Sequence, residues 1–468
     1  MGLFKPAWMG DNDAKATKFV EKEENQSKLY KIAKNANNLK ARYAAVAKII
    51  DHSVLADLAK NSDTYGVREV AIEKITDQAV FAYMAKNDQH YKLRLVAVKK
   101  LTDQSVLADV AKNDIVTSVR LAAADKLLDQ NLAQKVYADL AKNADDVKVR
   151  WDVVEEKLTD QSALAHLAKN GADYIQQEIA VRKLTDQSIL ADIAKNDVMA
   201  RVRVAAAEIL TNQAVLTDVA KNDTDYKVRM AAAIKLTDQN LAEMIFVDIA
   251  KNAKGEGDQP VSSDFMGNYI RPAQRIRLEA LERLSDQSLI ADAAKNAFDE
   301  TVRLVATGRL TNQAALANVA KNDAYNKVRV AATENLTDQT VLTDVAKNDG
   351  DYIVREAALK KLTDQTVIAY VAKKDSYYKL REAAVRILTD QVTLADVAKN
   401  DSNFEVRWEA VKKLTDQAVL ADVAKNDADV NVRDAANYRL KTLRDGTVAS
   451  VSAISGAGAS SGASGLPR

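Results

Sequence analysis

Between Leu101 and Gln130 the chain reads LTDQSVLADVAKNDIVTSVRLAAADKLLDQ, and its apolar positions twice fall at helical spacing. Val106, Leu107, Val110 and Ala111 make one stripe; Val119, Ala123 and Leu127 make a second. Two stripes of helical period around a short polar stretch predict a hairpin of two amphipathic helices, here called A and B. The pattern recurs, with edits, along most of the chain. The Asn of the Ala-Lys-Asn signature marks it fifteen times from Asn35 to Asn426, with Lys374 once in its place, and ten of the fourteen intervals are 26 residues. A fixed period built from one such unit predicts units that bury their apolar faces only against neighbours. The expected fold is all-α, an α-solenoid or superhelical array of about fifteen two-helix repeats with a dominant 26-residue period.

Polar positions punctuate the helices. Each unit opens with Thr-Asp-Gln or a variant, which puts Asn25, Asp51, Asp77, Asp103 and their equivalents where they cap exposed amides at the start of helix A. The marker Asn is expected to end that helix in the left-handed conformation. A second cap (Asp146, Asp173, Asp225, Asp299, Asp351, Asp429) precedes helix B. Residues 1–24 read as an N-terminal segment and capping helix, 25–444 as the array, and 445–468 as a flexible Gly/Ser/Ala-rich tail. Two units, after Asp129-Gln130 and Asp238-Gln239, gain four residues in helix A, about one turn, and keep their apolar face. One extra residue near Glu155 and Glu156 calls for a bulge or a longer turn. The interval from Asn252 to Asn296 holds Gly255, Gly257, Pro260, Gly267 and Pro272, which predicts a long loop over about 253–274.

Seven residues after the marker, fourteen of fifteen units carry Arg, inside the apolar arc of helix B. A guanidinium there needs a carboxylate or carbonyl partner. Nine units carry Asp six residues before that position. The expected result is a structural ladder tying each turn to its neighbour, through Asp88, Arg94, Asp114, Arg120, Asp223, Arg229, Asp323, Arg329, Asp349, Arg355, Asp401 and Arg407. Where Arg gives way to Gln177, the Asp position is Gly171.

Asp-x4-Val-Arg-x-Ala-Ala, following Leu-Ala-Asp-Val-Ala-Lys-Asn, resembles bacterial HEAT-like repeats and their relatives, the leucine-rich-variant repeats, over roughly residues 25–444. A 26-residue unit is short for HEAT and near the variant type, which leaves a partly 3₁₀ helix A open. The resemblance implies a concave face lined by second helices. Independently, the residue after the Arg lies about 200° from Val119, opposite the core. That row varies where others are monotonous, and its large apolar members predict a protein or peptide groove: Tyr43, Leu95, Leu121, Trp151, Val204, Met230, Leu278, Leu304, Val330 and Trp408, the two Trp as anchors. Phe265, Met266, Tyr269, Arg271 and Arg275 are candidate contacts at the long loop.

Composition narrows the partners. Charged residues make up 28% yet cancel to +1, which removes a whole-chain argument for nucleic acid or acidic membrane surfaces. Lys precedes the marker in every unit and could track phosphates, so a nucleic-acid-binding solenoid using Lys/Arg ladders and Arg271, Arg275 and Arg277 is the alternative. Against it, Asp three residues before Lys in ten units, as Asp57 before Lys60 and Asp109 before Lys112, would pair with it on one helix face. Zero Cys fits a reducing compartment, and apolar runs are too short to span a bilayer, so a cytoplasmic, non-membrane protein is expected. His52, His90 and His166 fall at unrelated repeat positions, and no phosphate loop, calcium loop or Ser/His/Asp set emerges. The expectation is a non-enzymatic scaffold with no catalytic residue, metal or cofactor, binding a protein or peptide.

Overall fold

The computed structural model describes residues 7–9, 13–254 and 272–457. All regular structure among them is helical, arranged as consecutive A/B hairpins. The chain divides into two compact units, Met1–Lys235 and Leu236–Arg468. Unit 1 holds a first helix, Asp13–Lys22, and eight hairpins from Gln26–Asn35 with Leu39–Lys48 to Gln213–Asn222 with Tyr226–Ile234. Unit 2 holds seven, from Gln239–Asn252 with Pro272–Glu282 to Gln417–Asn426 with Val430–Ala457.

In each hairpin a short apolar set does the packing. Helix Gln104–Asn113 buries Leu107, Val110 and Ala111; helix Thr117–Ala124 buries Val119, Ala123 and Ala124. Each Leu or Val taken out of water contributes about 1.5–3 kcal/mol, too little per unit to fold one alone. Over most of the array neighbouring B helices pack more closely than neighbouring A helices, the order reversing between Tyr65–Lys74 and Tyr91–Lys100 and between Pro272–Glu282 and Glu300–Gly308. The residue three after the ladder Arg makes this possible: it is Ala at Ala45, Ala71, Ala97, Ala123, Ala180 and every later equivalent to Ala436, each fully buried. A methyl is all that fits between backbones this close. Val153 is the one exception.

Helix ends follow their caps. Asp51, Asp103 and Asp186 each accept two backbone N–H groups at the start of helix A. Asp146, Asp173, Asp225, Asp299 and Asp351 cap helix B. Helix A is α throughout, not partly 3₁₀. Its end differs from expectation. The residue after Asn113 is extended, with φ −64° and ψ 138°, so no left-handed residue is used. Asn113 instead turns its Nδ2 back onto Asp109 Oδ1 at 2.7 Å, and Asn222, Asn348 and Asn426 repeat the bond one helical turn back.

The four-residue insertions lengthen helix A to Gln130–Asn143 and Gln239–Asn252. The extra residue near Glu155 and Glu156 is absorbed by a π turn, Val153–Lys157, closed by a 2.9 Å bond from Leu158 N–H to Val153 O. Helix Pro272–Glu282 begins inside the span read as loop, Pro272 taking the first position where its missing N–H costs nothing. The last helix continues through Ala457, past the point where the tail was placed.

Candidate partner-binding face

Three ladders run between successive repeats and determine which side chains remain free. The first is the Arg–Asp ladder. Arg94 Nε and Nη2 donate to Asp114 Oδ2 and Oδ1 at 2.7 and 2.9 Å, while Nη1 donates to the Asp88 carbonyl at 2.9 Å. Asp114 Oδ1 also accepts the Val116 N–H at 2.8 Å. The carboxylate is thus the one in the next repeat, twenty residues on; the Asp six residues before each Arg supplies its carbonyl. Asp323 accordingly meets Arg303, and Arg329 meets Asp349. Complete rungs join Arg68–Asp88, Arg94–Asp114 and Arg203–Asp223 in unit 1. Unit 2 has Arg303–Asp323, Arg329–Asp349, Arg355–Asp375, Arg381–Asp401 and Arg407–Asp427 without a gap. These charges are almost wholly desolvated, so bidentate geometry is what makes their burial tolerable. The carboxylate holds the proton on Arg94, Arg203, Arg329, Arg355, Arg381 and Arg407 above the ordinary arginine value. Burial pushes Asp427 up, but the bonds from Arg407 and the Asp429 amide outweigh it and hold it below the usual carboxylate value.

Two predicted ladder members take other partners. Arg120 faces Ala144 at the next Asp position, so it donates to Asp139 at 2.5 Å and to the Ala111 carbonyl at 3.0 Å. Arg229 donates to the Ala220 carbonyl at 2.9 Å and lies 5.4 Å from the Tyr226 ring centre.

The second ladder was not anticipated. Gln78 Oε1 accepts the N–H and hydroxyl of Thr102 in the next repeat at 2.8 and 2.9 Å, and its Nε2 donates to the Lys100 carbonyl at 3.2 Å. Gln161, Gln287, Gln313, Gln339 and Gln391 repeat the pattern. In the lengthened helices the role moves one turn on: Gln134 accepts from Thr159 and Asp160, and Glu243 from Ser285 and Asp286. The Gln of every Thr-Asp-Gln was the available signal.

The third ladder is on the outer face of helix A. Lys86, Lys169, Lys195, Lys321 and Lys399 pair with Asp109, Asp192, Asp218, Asp344 and Asp422 of the following repeat at 2.5–2.6 Å. The Asp–Lys pairing within one helix gives way to this one because helix A's own Asn occupies the other carboxylate oxygen. Where the next repeat has Tyr83 or Tyr370, Lys60 and Lys347 lie over the ring instead.

The B-face row is largely taken up by the same close packing. Met230 is buried, at 4% exposure, because helix Ala200–Ile209 lies along its own helix; as a partner contact it is corrected. Leu95, Leu121, Val204, Leu278, Leu304 and Val330 are half-buried. Tyr43 lies over Gly66, where a Cβ would come within 2.5 Å of the ring. Trp151 donates its indole N–H to both Asp173 oxygens at 3.1 Å. Trp408 is 38% exposed, with Lys412 Nζ 4.3 Å from its ring centre. Arg275 is exposed on helix Pro272–Glu282; Phe265, Met266, Tyr269 and Arg271 lie outside the described residues.

One repeat before Trp408 in the row stands Glu382, at the edge of a cavity of about 320 Å³ lined by Tyr352, Glu356, Tyr377, Lys379, Glu382 and Arg386. Tyr352 and Tyr377 meet at 4.3 Å between ring centres. Lys379 bridges Glu382 at 3.2 Å and Glu405 at 3.0 Å, and both carboxylates raise its pKa, Glu405 most. Arg386 closes on Glu382, and Lys412 on Glu409 at 3.0 Å. This network was legible only as acidic residues at and beside the row flanked by basic ones.

No protein-family model matches the chain, and no curated protein does. Among solved structures, "Crystal structure of Kap121p" aligns at 13% identity over 93% of this chain and 48% of that one, with a TM-score of 0.22. "Crystal Structure of Importin Beta in a Polyethylene Glycol Condition" aligns at 13% identity over 93% of this chain and 56% of the other, with a TM-score of 0.14. The chain spans about half the length of these structures. At such values the likeness says nothing of what this chain binds.

Among the described residues no group of three His, Cys, Asp or Glu could hold a metal ion, and no helix is long and apolar enough to cross a membrane. His52 and His166 are exposed, and His90 sits between Tyr65 and Tyr91, 4.4 and 5.7 Å from their ring centres.

Proposed function

We propose that the chain is a non-enzymatic α-solenoid scaffold, working in a reducing, cytoplasmic setting, whose B-helix face takes a protein or peptide. Trp408 carries the reading. The constant rows of the repeat are consumed by neighbours, whereas this indole is 38% exposed on a row whose residue type changes from repeat to repeat, one repeat along from the Tyr352–Arg386 cavity. An amphipathic aromatic beside charged, already ordered side chains suits a protein contact. In unit 1 the half-buried Leu95, Leu121 and Val204 offer a shallower apolar strip of the same kind.

The lysine row weighs against phosphate tracking where Lys86, Lys169, Lys195, Lys321 and Lys399 have their charge matched by aspartates of the next repeat. A photo-crosslinking residue in place of Trp408 should capture a protein partner, and one in place of Ser105 on helix A should not. Equal capture from both positions, or DNA or RNA binding that survives near-physiological salt, would reject the reading.

A further inference from the structure

Residues 147–182 of unit 1 concentrate several irregularities of its stack. Helix B here is the shortest of its kind, Val147–Asp152, and none of its residues is fully buried. It runs directly into the π turn Val153–Lys157, with Val153 at the position that is otherwise Ala. The rung that should follow is missing on both sides. Arg150 finds Gly171 where the next carboxylate belongs; its Nη1 reaches the Ala144 carbonyl at 2.5 Å, and its buried Nε has no hydrogen-bond partner. One repeat later Gln177 replaces Arg, so Asp197 receives no guanidinium and its carboxylate only caps the Met199 amide at 2.8 Å. Gln177 itself makes one long bond, 3.5 Å, to the Lys169 carbonyl.

Two neutral or partly exposed bonds stand in for the lost rungs. Trp151 holds Asp173, and the buried Gln176 donates to the Ala141 carbonyl at 2.5 Å while accepting from the Ala172 N–H at 3.0 Å. Neither is a charge-assisted bidentate pair, and the π turn interrupts the regular i→i−4 bonding of the helix it ends.

We propose that residues 147–182 form a hinge within unit 1, at which the hairpins before and after it change their tilt and which opens before the rest of that unit. Repeat arrays fail at their weakest interface, because each unit is held only by its neighbours. Two consecutive missing rungs and a bulged helix place that interface here.

Hydrogen exchange on the full chain tests this. Amides of 147–158 and 174–182 should exchange at least about tenfold faster than those of helices Tyr65–Lys74 and Tyr91–Lys100, which keep their rungs. Gln177→Arg offers Asp197 its guanidinium with the Gly171 carbonyl as third acceptor, and should bring 174–182 down to the rate of those helices. Protection in the wild-type chain equal to that of 65–100 would overturn the proposal. So would a folded Q177R chain whose exchange over 174–182 is unchanged. Should Q177R not fold, the wild-type comparison still decides.

Discussion

From Arg303 to Asp427 five rungs follow one another without interruption, whereas between Arg120 and Arg203 no rung is complete. The A helices of both stretches keep the same Asp or Asn caps and bury the same kind of Leu/Ile/Val/Ala set, so helix-A packing alone does not distinguish them. What differs lies in the B helices: the short helix and π turn at 147–157, and whether a guanidinium inside the apolar arc has its carboxylate. Buried charges contribute little relative to an apolar replacement, but a half-removed pair is costly. Such a ladder would penalise any unit that slips against the next.

The largest expected effect comes from creating in unit 2 the gap that unit 1 already has. Asp375→Ala leaves Arg355, 9% exposed in its side chain, without its paired carboxylate, and should destabilise its neighbourhood by about 3–5 kcal/mol, read from local exchange or the denaturant midpoint. Arg150→Met, which removes a guanidinium lacking a carboxylate, should cost less than about 1 kcal/mol or be stabilising. Similar costs at both sites would erase the distinction drawn above.

Register gives a second, smaller test. A double-mutant cycle on Arg329 and Asp349 should give a coupling of about 1.5 kcal/mol or more, whereas Arg329 and Asp323, whose contact runs only through the backbone carbonyl, should couple by less than about 0.5 kcal/mol. Acid should act through Asp427, the last carboxylate of the ladder. Asp427 is held below the ordinary Asp value of 3.8, so its contribution is present above that pH and lost as pH falls through its folded value. The outer aspartates Asp192, Asp344 and Asp422 are lowered as well, by Lys and Asn of neighbouring turns. Thermal stability should be flat from neutral pH to about 5 and fall below about 4; a loss beginning near pH 6 would implicate histidines instead.

Much of this was readable in the chain and some was not, for identifiable reasons. The hairpins, the Asp caps and the one-turn insertions depend on interactions within a few residues, so periodicity shows them directly. The partner of Arg329 is different: in an array of constant period, pairing within a repeat and pairing to the next produce the same columns. Asp323 and Asp349 are indistinguishable until coordinates separate six residues from twenty. The Gln ladder was hidden by its own constancy, since Gln339 at the start of a helix reads as an ordinary solvated residue. The face row was misjudged in part because helical angle tells which way a side chain points but not how near the next helix lies. Tyr43 over Gly66 and Trp151 on Asp173 are contacts with the following repeat, while Trp408 stays open.

Gln339 ranks next. Its side chain joins two repeats through the Thr363 N–H and hydroxyl and the Lys361 carbonyl at 3.0–3.1 Å, all at a wet surface. Water can replace these partners, so Gln339→Ala should cost about 1 kcal/mol. Gln→Glu at this position should cost less than Gln→Ala, since Glu243 already fills the equivalent place with acceptors alone.

The smallest effect should come from the outer pairs, although they are among the shortest. Lys399 and Asp422 meet at 2.6 Å, yet their side chains are 39% and 45% exposed, so ordering two flexible chains in high dielectric offsets most of the attraction. Lys399→Ala should change stability by less than about 0.5 kcal/mol, and added salt should reduce even that. The same substitution tests the surface potential more sharply than the fold. If these lysines were a phosphate track, removing one would weaken nucleic-acid binding and lower its salt slope by about one. With Lys399 already facing Asp422, Lys399→Ala instead leaves that carboxylate without its cation and the outer face more acidic, so retention on a cation-exchange surface should fall.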